Sequence, residues 1–194
     1  MPRFIDIGCA ALGTVLLCPV FLLAAVLVKL HDGGPVLYKA RRVGRNGHEF
    51  SLLKFRSMVI GADRQGGALT TAADSRVTPI GRFLRKYKLD ELPQLINVLK
   101  GDMAFVGPRP EDPRYVALYS PEQRQVLAVR PGITSPASLS YREESALLNG
   151  ENSEQHYITS ILPHKLSMEL EYLNHKSLWT DISLILRTVL TLTR

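Results

Sequence analysis

Asp90 and Glu91 stand side by side behind a run of cations, Arg82, Arg85, Lys86 and Lys88, in the stretch RFLRKYKLDELPQLINVLKGD. Two adjacent carboxylates beside concentrated positive charge suit chemistry on an anionic substrate, one as nucleophile or metal ligand and the other as proton acceptor. The plainer use of an acidic residue there is to cap a helix, yet only one of two neighbours can cap well. Leu92, Leu95, Ile96 and Leu99, with Pro93 near the start and Gly101 at the end, predict a helix that begins at Asp90. Its exposed N–H groups and dipole favour an anion by roughly 0.3–1 kcal/mol.

Two further arginines sit in proline frames, Gly107-Pro108-Arg109-Pro110 and Arg130-Pro131-Gly132. A guanidinium is a planar fork that matches phosphate oxygens, and a restricted backbone lowers the cost of ordering it. The same frames also suit an arginine that merely bonds carbonyls in a turn.

These groups need elements to position them. Thr78-Pro79 reads as cap and first turn of a helix whose apolar stripe is Ile80, Phe83, Leu84 and Tyr87. Upstream, 36–43 and 48–58 read as two strands around a Gly44-Arg45-Asn46-Gly47 turn. Alternation on the second places Phe50, Leu52, Lys54 and Arg56 on one face, so two cations project together. Residues 61–76, rich in Gly, Ala and Asp without periodicity, read as a mobile loop. Residues 154–176 read as helical with a break at Pro163, and Leu178, Ile182, Ile185, Leu186, Val189 and Leu190 as a terminal amphipathic stripe beside Trp179.

Residues 7–28 carry no charge and are long enough for a membrane segment, which needs roughly 20 apolar residues. Pro19 near the middle should bend or break that helix. A cleaved signal, a kinked span and a re-entrant helix are the three readings. The run is too long for a signal, and Arg3 on one side with Lys29, Lys39, Arg41, Arg42 and Arg45 on the other puts positive charge on both flanks, as a re-entrant helix requires.

The chain has 194 residues with 24 Lys and Arg against 18 Asp and Glu, a net charge of +6, and a mean hydropathy of +0.02. It is too apolar to be disordered, and two cysteines, Cys9 and Cys18, exclude a disulfide scaffold and a four-thiolate zinc site. Residues 1–100 hold 15 basic and 7 acidic residues, and the rest 9 and 11. The basic half adjoins the apolar run, which fits a surface on anionic lipid head groups that gathers phosphorylated substrates. No nucleic-acid motif or aromatic-interleaved basic patch is present, so nucleic acid is not expected as a partner. The histidines show no metal-ligand spacing.

The order of apolar segment with central proline, KFRSM, LDELPQLINVLKGDMAFVGPRP and VRPGIT resembles the bacterial sugar transferases, the monotopic phosphoglycosyl transferases, over nearly the whole chain. The resemblance implies transfer of a sugar phosphate from a UDP-sugar to undecaprenyl phosphate, with release of UMP. It implies Asp90 as nucleophile and Mg²⁺ ligand, a covalent phosphosugar intermediate on Asp90, and Glu91 as assistant to the lipid phosphate. Lys54, Arg85, Arg109 and Arg130 fall on basic active-site residues of the family. Arg56, by strand alternation, and Arg142, the one residue that SPASLSYR keeps of the family's Gly-Trp-Ala-Gln-Val-Asn-Gly-Arg, complete the expected phosphate-binding set. The break falls on Cys18-Pro19, where many members have Ser-Pro.

The expected architecture is α+β and mainly helical: a re-entrant membrane helix over 1–31 and a catalytic domain over 32–194. That domain would carry a small β-hairpin and amphipathic interfacial helices, on the cytoplasmic face of a bacterial inner membrane. A rival from another class is a non-catalytic membrane anchor that recruits glycan-assembly enzymes through its basic face.

Overall fold

The computed structural model describes residues 1–67, 69–71, 74–148 and 152–192. It is mainly helical with one antiparallel hairpin, an α+β arrangement. Two helices lead, α1 (Arg3–Leu16) and α2 (Cys18–Asp32). No single helix among the described residues is long and apolar enough to cross a membrane, but these two qualify as a pair bent by 62°. The break falls at Leu17, one residue before the expected Cys18-Pro19, because Pro19 is accommodated in the first turn of α2, where its missing N–H leaves nothing unpaired.

Both ends of the bent pair are tied to the body of the protein. The Arg3 guanidinium donates to the carbonyls of Val98 and Leu99 in the last turn of α4 (Gln94–Lys100), and Asp6 accepts from the Phe105 N–H at 3.2 Å. Arginine at a helix C-terminus satisfies orphan carbonyls and the dipole together. At the far end α2 stops at Gly33, which takes the left-handed conformation (φ 72°), and Asp32 pairs with Arg56. Small residues let the pair lie close: Ala10, Ala24 and Val28 are buried, and Gly13 faces Leu95. The opposite faces, with Phe4, Leu12, Val15, Leu16, Leu22, Leu23 and Leu30, are exposed.

The hairpin pairs β1 (Leu37–Val43) with β2 (Glu49–Phe55) in a register that sets Ala40 opposite Leu52. Its turn is tight because Asn46 and Gly47 both take positive φ. The second strand ends at Phe55, before Arg56. Asn97, buried in α4, accepts from the Leu53 N–H at 2.9 Å and donates to the Ser51 carbonyl at 2.8 Å, which clamps α4 onto β2.

A second, parallel pair joins β3 (Ala104–Val106) to β4 (Gly132–Thr134). Three-residue strands show no period in the sequence, and neither was expected. Between them lies α5 (Pro113–Val116); after β4 come α6 (Pro136–Ser140), α7 (Glu144–Leu147) and α8 (Ser153–His156). The break expected at Pro163 is a single π turn over Tyr157–Ile161, after which α9 (Leu162–Asn174) continues with Pro163 in its first turn. Proline has no N–H for the carbonyl four residues back, and the widened turn absorbs the mismatch.

In α10 (Leu178–Leu192) the expected stripe divides. Leu184 is buried and Ile185 packs with it against Val106 and Tyr172, while Leu178, Trp179, Leu186, Val189 and Leu190 are exposed. The loop expected over 61–76 is held in its described part, with residues 68, 72 and 73 outside it. Arg76 donates to the carbonyls of Ala62, Gly67 and Leu69 and pairs with Asp74.

Candidate active site

The dyad lies between two helices rather than at the start of one. Thr78 caps α3 (Pro79–Lys86) by accepting from the Gly81 N–H at 2.9 Å. The chain then reverses at Lys88, which takes the left-handed conformation (φ 55°), and a 3₁₀ turn over Leu89–Glu91 carries both carboxylates before α4 begins at Gln94. A non-glycine residue held there costs about 1–3 kcal/mol and persists where surrounding structure imposes it. The helix expected from Asp90 is therefore shorter, because Pro93 and the reversal at Lys88 confine its first turn. Within the stripe Leu84 is buried, whereas Phe83 and Tyr87 are exposed and form a ring pair.

The two carboxylates sit in opposite electrostatic states. Glu91 Oε1 accepts from Lys54 Nζ at 2.8 Å and from Arg109 Nη2 at 2.7 Å, and these cations hold its carboxyl well below the usual range against the cost of burial. Asp90 is 5% exposed, and its Oδ1 has no hydrogen-bond partner. Burial pushes the Asp90 carboxyl up, opposed by the fields of Lys54, Arg85 and Lys88. Burial likewise pulls the Arg85 and Lys88 cations down, and Arg85 Nε donates to Ser57 Oγ at 2.8 Å. Lys54, Arg85, Lys88, Asp90, Glu91 and Arg109 all line one cavity of about 860 Å³.

Arg109 reaches Glu91 because the two proline-framed motifs pack back to back. The Gly132 N–H donates to the Pro108 carbonyl at 3.0 Å and the Gly107 N–H to the Thr134 carbonyl at 3.1 Å. Glycine is required at this approach: a Cβ on Gly132 would lie 2.1 Å from the Gly107 nitrogen. The same pairing points the two arginines apart. Arg130 donates to the Gly101 carbonyl at 3.0 Å and does not line the cavity, so it stands outside the expected phosphate-binding set.

Arg56 is also outside it. Its guanidinium is bound to Asp32 and, at 2.7 Å, to the Pro35 carbonyl, because the strand has ended and the side chain turns toward α2. Lys54, Arg85, Arg109 and Arg142 do line the cavity; Arg142 donates to the Thr191 carbonyl of α10. Lys88 joins them from the reversal, and its left-handed backbone has no sequence signal. Cys18 and Pro19 lie at the bend and not at the dyad, although Cys9, Gly13 and Leu17 of the leading pair form one apolar wall of the same cavity.

A metal at this site would have a narrow choice of ligands. Among the described residues no three His, Cys, Asp or Glu side chains converge, and Glu91 is committed to its two cations. Of the dyad, among the described residues, Asp90 is the member that offers an unpartnered carboxylate oxygen. One carboxylate plus substrate phosphate oxygens is a ligand set that Mg²⁺ accepts, so the residues fit that ion and not an all-protein cage.

The model of the bacterial sugar transferase family matches residues 1–194, and the chain belongs to that family. It is 38% identical over 190 residues to a UDP-glucose:undecaprenyl-phosphate glucose-1-phosphate transferase of Caulobacter vibrioides, covering 96% of this chain and 67% of that protein. It is 34% identical to a UDP-N-acetylgalactosamine-undecaprenyl-phosphate N-acetylgalactosaminephosphotransferase of Aeromonas hydrophila, covering 98% of this chain and 43% of the other. A UDP-glucose:undecaprenyl-phosphate glucose-1-phosphate transferase of Escherichia coli is 35% identical, covering 97% and 39%. The chain thus spans from two fifths to two thirds of the length of these relatives.

Proposed function

We propose that the protein moves a sugar phosphate from a UDP-sugar to undecaprenyl phosphate through a covalent intermediate on Asp90. The observation that carries this reading is the contrast within the dyad: Asp90, which lines the cavity, has a buried oxygen with no partner, while Glu91 is spent holding two cations. An uncommitted carboxylate beside several cations is the better nucleophile of the two. The Asp90 oxygen attacks the phosphorus that bears the sugar; the bond from that phosphorus to the bridging oxygen breaks, and UMP leaves. A phosphate oxygen of undecaprenyl phosphate then attacks the same phosphorus, and breaking its bond to Asp90 restores the carboxylate.

Such transfer needs positioning and neutralisation of oxygens more than proton chemistry. Lys54 and Arg109, each fixed by Glu91, and Arg85 and Lys88, each partly desolvated, supply that charge. Glu91 acts here by orienting cations. Mg²⁺, held by Asp90 and phosphate oxygens, would add charge neutralisation when bound.

The membrane reading rests on the bent pair. Both ends are anchored to one body and the outward faces are apolar, an arrangement that suits a re-entrant helix over 1–31. A catalytic domain over 32–194 would then sit at head-group depth on the cytoplasmic face of the inner membrane, with the exposed Trp179 face of α10 in the interface.

The test is UMP release by detergent-solubilised protein given a UDP-sugar panel, undecaprenyl phosphate and Mg²⁺. Asp90→Asn should abolish it, and mass spectrometry of wild type with donor alone should find a sugar phosphate on Asp90. Turnover retained by the variant refutes the nucleophile; no UMP with any donor favours the anchor reading. Labelling of cysteines placed at residues 2 and 31 should report one side of the membrane.

A further inference from the structure

The cavity has a second polar cluster, separate from the dyad and built from other elements. Tyr157 donates its hydroxyl proton to Glu111 Oε2 at 2.5 Å. Lys165 Nζ donates to the Tyr157 oxygen at 3.2 Å and to both oxygens of Glu144, at 3.2 and 3.0 Å. Arg42 Nη1 lies 3.7 Å from Glu111. These side chains all line the cavity, yet the steps above use none of them.

We propose that this cluster binds the hydroxyl-bearing ring of the sugar that is transferred, with Glu144 as the residue that selects among sugars. The inference rests on the donor reading given under the proposed function and deepens it.

Charge separates the two ends of the cavity. Around the dyad, Lys54, Arg85, Lys88 and Arg109 outnumber Asp90 and Glu91, so phosphates belong there. In the second cluster Arg42 and Lys165 are matched by Glu111 and Glu144. Two carboxylates repel a phosphate but accept hydroxyl protons, so a neutral polyhydroxyl ring fits where an anion does not. Capacity is also left over: an ionised carboxylate has about four acceptor positions, and among the described residues the one donor seen on the partly buried Glu144 is Lys165.

Position selects the sugar over the nucleoside. One side chain bridges the clusters: Arg109 bonds Glu91, and the fields of Glu144 and Glu111 act on it as well. The sugar is attached directly to the phosphorus that Asp90 attacks, whereas the nucleoside lies one phosphate farther along the leaving group. The ring that reaches past Arg109 is therefore the one bonded to the reacting phosphorus. Glu144 belongs to α7, its partner Lys165 to α9, and Tyr157, which Lys165 also bonds, to the π turn before α9, so the cluster draws on three elements.

The test is calorimetric binding of UMP, UDP-glucose, UDP-galactose and the two corresponding UDP-N-acetylhexosamines to wild type and Glu144→Gln. Wild type should separate at least one pair of these sugars by about tenfold to a hundredfold, the range set by a hydrogen bond to a charged group. The variant should bring that ratio down by about tenfold and bind UMP as before, which also shows that it folds. A ratio kept within twofold, a wild type that treats every donor as it treats UMP, or a loss shared equally by UMP would each overturn the proposal. UMP release by the same preparations reports on the transferase reading separately. Sugar-dependent binding without release would defeat that reading and leave the subsite standing.

Discussion

Glu169 is the most exacting test of the electrostatics behind the site. It is 3% exposed in α9, accepts from Ser135 Oγ at 2.5 Å and from the Arg109 backbone, and has an Oε2 with no partner. Burial pushes its carboxyl from the ordinary 4.5 up to about 7. A raised folded value means that stability is fully present below 4.5 and is lost as pH rises through 7. At 1.36 kcal/mol per pH unit the loss is about 3 kcal/mol. Gln in the same pocket keeps an acceptor for Ser135 and the Arg109 N–H and carries no charge to desolvate. Glu169→Gln should therefore match wild type near pH 4.5 and exceed it near pH 8 by about 3 kcal/mol, or about 6–12 °C in Tm for a chain of this size. Thermal unfolding of both proteins in one detergent, scanned from pH 4.5 to 8.5, measures the divergence. Curves that stay parallel, or a variant weaker at every pH, would refute the claim that a buried charge is what Glu169 costs the fold.

Other outcomes follow from particular contacts. Gly132→Ala should fail to fold or lose several degrees of Tm, because its Cβ would meet the Gly107 backbone, which cannot yield as a side-chain tip can; circular dichroism melts check this. Asp32→Asn should lower Tm and leave the KM for donor within about twofold, since Arg56 bonds Asp32 and not the cavity; an effect on KM alone would return Arg56 to the site. Lys54→Met with Arg109→Met strips both cations from Glu91, and the pair should cost less than the sum of the single losses in kcat/KM, as residues of one network do.

Much of the frame was legible from the residues. The hairpin appeared through its turn and alternation, α3 through its Thr-Pro start, and the broken leading helix through Pro19 in an uncharged run. The rest depends on groups far apart in the chain. Asn97 looks like an ordinary helix residue until it bonds Ser51 and Leu53 across 44 to 46 positions. The left-handed backbone of Lys88 is imposed from outside, since lysine has no preference for it. Helical spacing after Asp90 reads the leucines correctly but cannot register that a 3₁₀ turn and Pro93 intervene.

The arginines expected to bind phosphate show most clearly where local pattern stops. Lys54 and Arg56 share a face only if the strand continues; it ends at Phe55, and the two side chains then serve different partners, Glu91 and Asp32. Arg109 and Arg130 occupy nearly the same local motif, and each motif depends on the other to exist. Gly107 and Gly132 pack so closely that the two chains become one parallel pair, and that pairing sends Arg109 to the dyad and Arg130 to the end of α4. The second frame is therefore required even though its guanidinium stays outside the cavity. Arg130 acts through backbone geometry, and a sequence pattern built from side-chain chemistry counts it on the wrong side of the wall.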